Sequence, residues 1–214
     1  TFSRLVIFDS MLTFFVVSAL FCAYRAEDGD EGSRGFWHLA GALALGMATL
    51  VKGPVGFIVP TVVMGTFFLV ERRRDALRRL FSPWNVLVWA AVVVPWFVAV
   101  SFRHPDFADY GLMHESLRRF TTTSFRRTEP FYYFVPVLLA GCLVWSMLFL
   151  AGARAAWRLR DRWSRADRFL MISSVVMIGF FSISQSKRPG YVLPVVVCLA
   201  ALAARICDSA VANR

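Results

Sequence analysis

Long apolar stretches recur along the whole of this chain and are separated by short polar connectors. Most of them hold roughly 16 to 20 residues, which as α-helices approach the thickness of the hydrocarbon core of a bilayer. Hydrophobic residues make up 57% of the 214-residue sequence, more than a soluble domain ordinarily contains. These features predict an all-α fold, a polytopic bundle of transmembrane helices.

The polar flanks separate seven apolar runs. They cover residues 5–24, 36–51, 55–70, 85–102, 134–150, 169–184 and 192–206. Several are short for a full crossing, so flanking aromatic residues must complete them. We therefore predict about seven spans in a single transmembrane domain over 1–214. The first run begins almost at Thr1 without a signal peptide, and we expect the chain to lack the N-terminal part of a longer protein.

The basic residues define the sides of the membrane. The formal net charge is +10, which in a soluble protein would suggest nucleic acid, but here the arginines cluster in the connectors 71–84 and 154–168. With seven spans, both connectors fall on one side, together with the 25–35 connector and the C-terminal tail. The positive-inside rule predicts that this side is cytoplasmic. The arginines are then explained by topology, and we expect no nucleic-acid partner. The connector 25–35 is acidic and Gly-rich, and we expect it to be solvated.

The other polar segments fall on the opposite, extracytoplasmic face. They are Asp9, the Lys52-Gly53-Pro54 turn, the loop 103–133 and the turn 185–191. Ionisable groups at a membrane are costly and usually functional. Their convergence on one face predicts a single site there, with acids and imidazoles as general bases or metal ligands and cations as phosphate ligands.

Two of these residues have structural alternatives. Asp9 lies one turn inside the first run, where it is either a functional acid or a partner of the helix dipole. Lys52 lies between two runs, beside Gly53 and Pro54. It either grips a phosphate or carboxylate or extends its ammonium group to the lipid headgroups.

The loop 103–133 carries the remaining candidates. His104 and His114 lack the spacing of a metal motif, and the four cysteines stand singly, so neither a zinc site nor a disulfide framework is indicated. If residues 112–120 form a helix, His114 pairs with Arg118 and Glu115 with Arg119 at a spacing of four. Such pairs belong either to the site or to an amphipathic helix on the membrane surface.

Four segments resemble a known family. They are FDSMLTFF at 8–15, ATLVKGPVGFIVP at 48–60, HESLRRF with RRTEPFYYFVPVLLAG at 114–141, and SKRPGYVLPVVV at 186–197. In this order they resemble the GT-C class of polytopic membrane glycosyltransferases, in the branch of the lipid A aminoarabinose transferases and the protein O-mannosyltransferases. The resemblance implies a GT-C-like membrane domain, truncated at its N-terminus, in the inner membrane of a bacterium.

The resemblance also implies an activity and a site. A sugar would pass from a polyprenyl-phosphate carrier to a lipid, glycan or protein acceptor at the extracytoplasmic face. By motif position Asp9 and Glu115 would be the catalytic acids, and a divalent metal used by some members would have His114 as a ligand, although the family's histidine aligns with Ser116. The carrier phosphate would be bound by cations and a tyrosine: Lys52, Arg119, Lys187 and Tyr191.

Other classes of function remain open at this point. In a secondary transporter or a lipid flippase, Asp9 and the helices interrupted at Pro54 and Pro95 would line a pathway. The ionisable groups lie at one face rather than near the midplane, and the sequence has no evident internal repeat, both of which favour the transferase. A third alternative is an inactive membrane fragment.

Overall fold

The computed structural model describes residues 8–104, 129–142, 163–185 and 187–212, and these are helical apart from short turns. The chain divides into two compact units, Thr1–Arg126 and Arg127–Arg214. Within the described ranges no strand occurs, which confirms the all-α prediction.

The described part of the first unit contains five helices. They are α1 (Asp9–Asp28), α2 (Arg34–Lys52), α3 (Pro54–Val70), α4 (Arg74–Leu80) and α5 (Pro83–Arg103). Short turns join them, α2 packs against both α1 and α3, and the largest fully buried side chains of this unit form one apolar core. That core includes Val16, Leu20, Val63, Met64, Phe67 and Phe68.

The described part of the second unit contains three helices. They are α6 (Phe134–Cys142), α7 (Arg165–Ile183) and α8 (Leu193–Ala212), and a 3-10 turn over Pro189–Val192 leads into α8. Helix α7 begins with a capping box, in which the Ser164 hydroxyl accepts from the Asp167 amide and the Asp167 carboxylate accepts from the Ser164 amide. Arg205 of α8 donates to the same carboxylate over 2.6 Å, so this end of the two helices is held by charge.

Length and composition fit a membrane protein. In the described ranges, three helical stretches are long and apolar enough to cross a bilayer, namely Asp9–Asp28, Arg74–Arg103 and Arg165–Ile183, and Pro54–Val70 is a shorter apolar helix. Large apolar side chains such as Phe14 and Trp84 are exposed on the helices, as expected of surfaces that meet lipid. The predicted integral membrane bundle is confirmed. The count of about seven spans and the single domain over 1–214 stay predictions.

The turn between α2 and α3 is unusually tight. Only Gly53 separates the two helices, and its φ of 62° is in the left-handed region that glycine adopts without strain. Pro54 follows at the first position of α3, where its missing N–H costs nothing. A Cβ on Gly56 would lie 2.1 Å from the carbonyl oxygen of Ala48, so α3 can approach α2 closely only because this residue is glycine.

One sequence expectation is wrong in detail. The connector 25–35 was expected to be solvated, but α1 continues to Asp28 and the side chain of Glu27 is 0% exposed. The physical reason is an ion pair with a distant arginine: Arg79 donates two hydrogen bonds to the Glu27 carboxylate, at 2.8 and 2.6 Å. Arg73 adds a 3.0 Å hydrogen bond to the Glu27 carbonyl oxygen.

Candidate functional site

Asp9 and Lys52 form an ion pair at one end of the first unit. Asp9 is the first residue of α1 and Lys52 the last residue of α2. An acid is favoured at a helix N-terminus and a base at a C-terminus, so each helix stabilises the charge that it carries. The antiparallel α1–α2 hairpin brings the two ends together, as the alternation of connectors predicted.

The Asp9–Lys52 pair is partly shielded from water. The Asp9 side chain is 12% exposed and that of Lys52 24% exposed. Lys52 is followed directly by the tight turn at Gly53, which fixes the backbone on its C-terminal side. On the other partner, the Thr13 hydroxyl donates to the Asp9 carbonyl oxygen over 2.8 Å. The carboxylate can act as a base and the ammonium can bind an anion, so the pair suits either acid–base chemistry or phosphate binding.

The opposite end of the first unit carries the Glu27 cluster. His38 Nε2 lies 3.4 Å from the Glu27 carboxylate without making a hydrogen bond to it, and its Nδ1 lies 3.4 Å from the amide nitrogen of Asn85. Together with the two Arg79 bonds, these contacts link α1, α2, α4 and α5. The cluster is a structural clamp, and it is separated from Asp9 by the length of α1.

Lys187 is the most deeply placed of the predicted cations in the described ranges. The residue is 7% exposed, and its Nζ donates to the carbonyl oxygens of Glu129 at 2.9 Å and of Ser184 at 2.8 Å. Both acceptors are neutral. Within the described residues no carboxylate pairs with Lys187. The two carbonyl bonds hold the ammonium in place, and an ammonium has a third N–H to offer.

Arg188 and Tyr191 follow Lys187 in the same turn. Tyr191 is buried, with its ring centroid 5.2 Å from that of Phe181, and its amide donates to the Arg188 carbonyl oxygen over 3.1 Å. Arg188 is one of the cations that the sequence places on the predicted outer face as possible phosphate ligands, without a role assigned from a motif. Its Nε is buried and has no hydrogen-bond partner in the described part of the chain, which makes it a second candidate ligand for an anion beside Lys187.

The predicted site residues fall into two groups that the structure places and a third that lies outside the described residues. Asp9 contacts Lys52 in the first unit, whereas Lys187 and Tyr191 share one turn in the second. Glu115, Arg119 and His114 lie outside the described residues, as does most of the loop 103–133. Within the described ranges no group of three or more His, Cys, Asp or Glu side chains is arranged to hold a metal ion. The assigned roles, including His114 as a metal ligand, therefore stay predictions.

Comparison with solved structures gives a close match over most of the chain. ArnT from Cupriavidus metallidurans bound to undecaprenyl phosphate superposes with a TM-score of 0.83 at 32% identity, covering 94% of this chain and 37% of that one. The apo form of the same protein gives a TM-score of 0.80.

Characterised relatives agree with this match. The undecaprenyl phosphate-alpha-4-amino-4-deoxy-L-arabinose arabinosyl transferase of Serratia proteamaculans is 32% identical over 96% of this chain and 37% of its own length. The protein of the same name from Pseudomonas aeruginosa is 34% identical over 91% of this chain and 35% of its own length. The chain thus spans little more than a third of these relatives, and the GT-C resemblance drawn from the motifs is confirmed.

A family model gives the assignment. The model described as dolichyl-phosphate-mannose-protein mannosyltransferase matches residues 1–111, about half of the chain. That range includes the FD motif with Asp9 and the KGP turn with Lys52, the two residues that the structure joins in an ion pair. The chain belongs to the dolichyl-phosphate-mannose-protein mannosyltransferase family.

Proposed function

We propose that this chain is part of a membrane glycosyltransferase that moves a sugar from a polyprenyl-phosphate carrier to a lipid, glycan or protein acceptor. The observation that carries the proposal is Lys187, a buried ammonium held by two backbone carbonyls. Burying a cation without a counter-ion is costly, so such a site is maintained when an anionic ligand completes it. A phosphate monoester or diester at a membrane surface supplies that anion.

The surroundings of Lys187 suit a lipid phosphate. Lys187 lies in the turn that follows α7, and it precedes Arg188, whose buried Nε has no hydrogen-bond partner among the described residues. The same turn contains Tyr191, whose buried ring packs against Phe181 of α7. Cations would bind the phosphate, and apolar rings would contact the first part of the prenyl chain. The fold also supports this reading, because ArnT from Cupriavidus metallidurans was crystallised bound to undecaprenyl phosphate.

Asp9 and Lys52 would supply the chemistry of the same reaction. An acceptor hydroxyl attacks the anomeric carbon while the bond to the carrier phosphate breaks, so a base must take the hydroxyl proton and cations must stabilise the leaving phosphate. We assign the base to Asp9 or Glu115 and the stabilising charges to Lys52 and Arg119. The contact with Asp9 holds the Lys52 ammonium in position. A divalent metal bound through His114 would add to the same charge stabilisation.

The distribution of charge supports an extracytoplasmic site in the bacterial inner membrane. In the first unit, Asp9 and Lys52 lie at the helix ends opposite Arg73 and Arg79, which contact Glu27. In the second unit, Lys187 lies at the end of α7 opposite Asp167, which is paired with an arginine of α8. If the arginine-rich ends are cytoplasmic, both candidate groups face the other side.

The test is carrier binding by Lys187 variants. We expect Lys187→Gln, which can still donate to one carbonyl, to weaken undecaprenyl phosphate binding roughly tenfold to a hundredfold, because a hydrogen bond to a charged group contributes about 1.5–3 kcal/mol. Native mass spectrometry in detergent measures the affinity. Arg205→Gln, at the opposite end of α8, is the matched control and should change little.

Undecaprenol, which lacks the phosphate, separates charge recognition from folding. Its binding should be equal in the parent and in Lys187→Gln. If the variant loses both ligands together, or keeps full affinity for the phosphate, Lys187 does not bind the carrier phosphate and the proposal fails.

A further inference from the structure

The connector between α3 and α5 carries more positive charge than its structural contacts use. Of its five arginines, Arg73 and Arg79 are engaged with Glu27. The other three, Arg72, Arg74 and Arg78, are exposed, and no carboxylate of the described residues forms an ion pair with them. Three exposed guanidinium groups of this connector therefore remain outside any ion pair with a carboxylate of the described residues.

The position of Arg72 is unusual for an arginine. It has a φ of 57°, the conformation that glycine adopts at the end of many helices. The hydrogen bonds are those of a Schellman turn: the Arg73 amide donates to the Phe68 carbonyl over 2.8 Å, and the Arg72 amide to that of Leu69 over 3.1 Å. A side chain here is strained where glycine would not be. The backbone conformation at position 72 therefore does not itself favour arginine.

An apolar cavity of about 130 Å³ lies within the same unit. Apolar side chains of α1, α2, α3 and α5 form most of its wall, and it reaches Leu80 and Phe81, the residues that directly follow the arginine segment. His38 and Asn85 are its polar lining residues near that segment. Its volume suits a short stretch of a hydrocarbon chain, and it is smaller than the pockets that enclose a whole ligand of drug size.

We propose that the 72–81 segment and this cavity form a binding site for an anionic phospholipid of the bilayer. The exposed arginines would bind the headgroup phosphate, and the cavity would take part of an acyl chain. The choice of ligand follows from charge complementarity: a basic cluster beside a membrane helix attracts anionic headgroups and discriminates against zwitterionic ones. The site lies at the end of the helices opposite Asp9 and Lys52, so it is distinct from the proposed carrier site and does not depend on sugar transfer.

The test compares two lipids with the same acyl chains. Dioleoyl phosphatidylglycerol and dioleoyl phosphatidylcholine are added to the purified protein in detergent, and bound lipid is counted by native mass spectrometry. We expect saturable binding of the anionic lipid only. Each exposed arginine should contribute roughly fivefold to its affinity, equivalent to about 1 kcal/mol.

Arg72→Gly is the decisive variant because its effects on stability and on binding have opposite signs. Removing the side chain relieves the left-handed strain, so the melting temperature without lipid should stay equal or rise. Affinity for phosphatidylglycerol should nevertheless fall several-fold. The control is Arg160→Gln in the other arginine-rich connector, which changes the net charge equally and should leave the affinity unchanged.

A cavity variant tests the second half of the site. Ala42 is 6% exposed and lines the cavity, so Ala42→Leu should reduce the affinity for dioleoyl phosphatidylglycerol. Glycerol phosphate, which has no acyl chains, should not bind measurably to the parent. Equal binding of the two dioleoyl lipids, an unchanged affinity in Arg72→Gly, or an equal loss in Arg160→Gln would each overturn the proposal.

Discussion

Breaking the Glu27–Arg79 ion pair should destabilise the first unit more than any other single charge removal in the arginine-rich connector. The Glu27 side chain is fully buried and receives both of its short hydrogen bonds from Arg79. Removing one partner of a buried pair ordinarily costs about 3–5 kcal/mol, because the remaining charge is left without compensation. Arg79→Met is the perturbation, since it keeps the apolar stem of the side chain.

Two features lower the expected cost. The Arg79 side chain is 37% exposed, so water already screens part of the interaction, and Arg73 remains 3.8 Å from the carboxylate. We therefore expect a loss of about 2–3 kcal/mol in the free energy of unfolding. Arg78→Met, one residue away and exposed, should change it by no more than about 0.5 kcal/mol.

The assay is unfolding in mixed micelles of a non-ionic detergent and dodecyl sulfate, followed by tryptophan fluorescence. Glu27→Gln removes the buried charge. The double variant Glu27→Gln/Arg79→Met should therefore lose less free energy of unfolding than the two single variants lose together, by about 1–2 kcal/mol. If Arg79→Met is as harmless as Arg78→Met, or if the two single losses simply add, the pair does not hold α4 to α1.

Three further predictions concern the α1–α3 region. Gly56→Ala should lower the free energy of unfolding by more than about 2 kcal/mol, because the added methyl group would lie 2.1 Å from a carbonyl oxygen of α2. Gly65→Ala is the control in the same unfolding assay, and it should be neutral or stabilising because the nearest neighbour of its methyl group is 4.0 Å away. Asp9→Asn should lower sugar transfer from a polyprenyl-phosphate donor about a hundredfold while changing stability by about 1 kcal/mol or less; transfer at the parental rate would assign Asp9 a structural role. Lys52→Cys and Arg73→Cys, in a background without native cysteines, should react with an impermeant thiol reagent from opposite sides of the membrane, and labelling from the same side would refute the topology.

The fold and part of the site could be predicted from the sequence because they depend on regular patterns. Apolar runs of membrane length predict helices, and the alternation of connectors predicts which helix ends are neighbours. Asp9 and Lys52 are 43 residues apart in sequence. The alternation of connectors nevertheless predicted that they lie on one face, and the structure joins them in an ion pair. These two residues could be predicted as neighbours because a hairpin of two helices allows only one pairing of their ends.

The features that the sequence did not reveal depend on distant pairing. Glu27 lies in an acidic, Gly-rich segment that has the composition of a solvated connector, and its burial depends on Arg79, 52 residues away. Every arginine of the connector had the same apparent role, and only the structure separates those that contact Glu27 from those that remain exposed. Arg188 shows the same limit, because the sequence groups it with the other cations of the predicted outer face. Only the packed turn shows that its Nε has no hydrogen-bond partner among the described residues.

The one-residue turn at Gly53 has a consequence for how the protein enters the membrane during synthesis. With a single residue between them, α2 and α3 have no slack to insert one after the other, and we expect the two helices to enter as a preformed pair. If this turn lies on the extracytoplasmic side, as proposed from the arginine distribution, the Lys52 ammonium must cross the hydrocarbon during insertion, at a cost that is lower when a counter-charge is present on that side. Because α1 is synthesised first, Asp9 would be in place before Lys52 arrives.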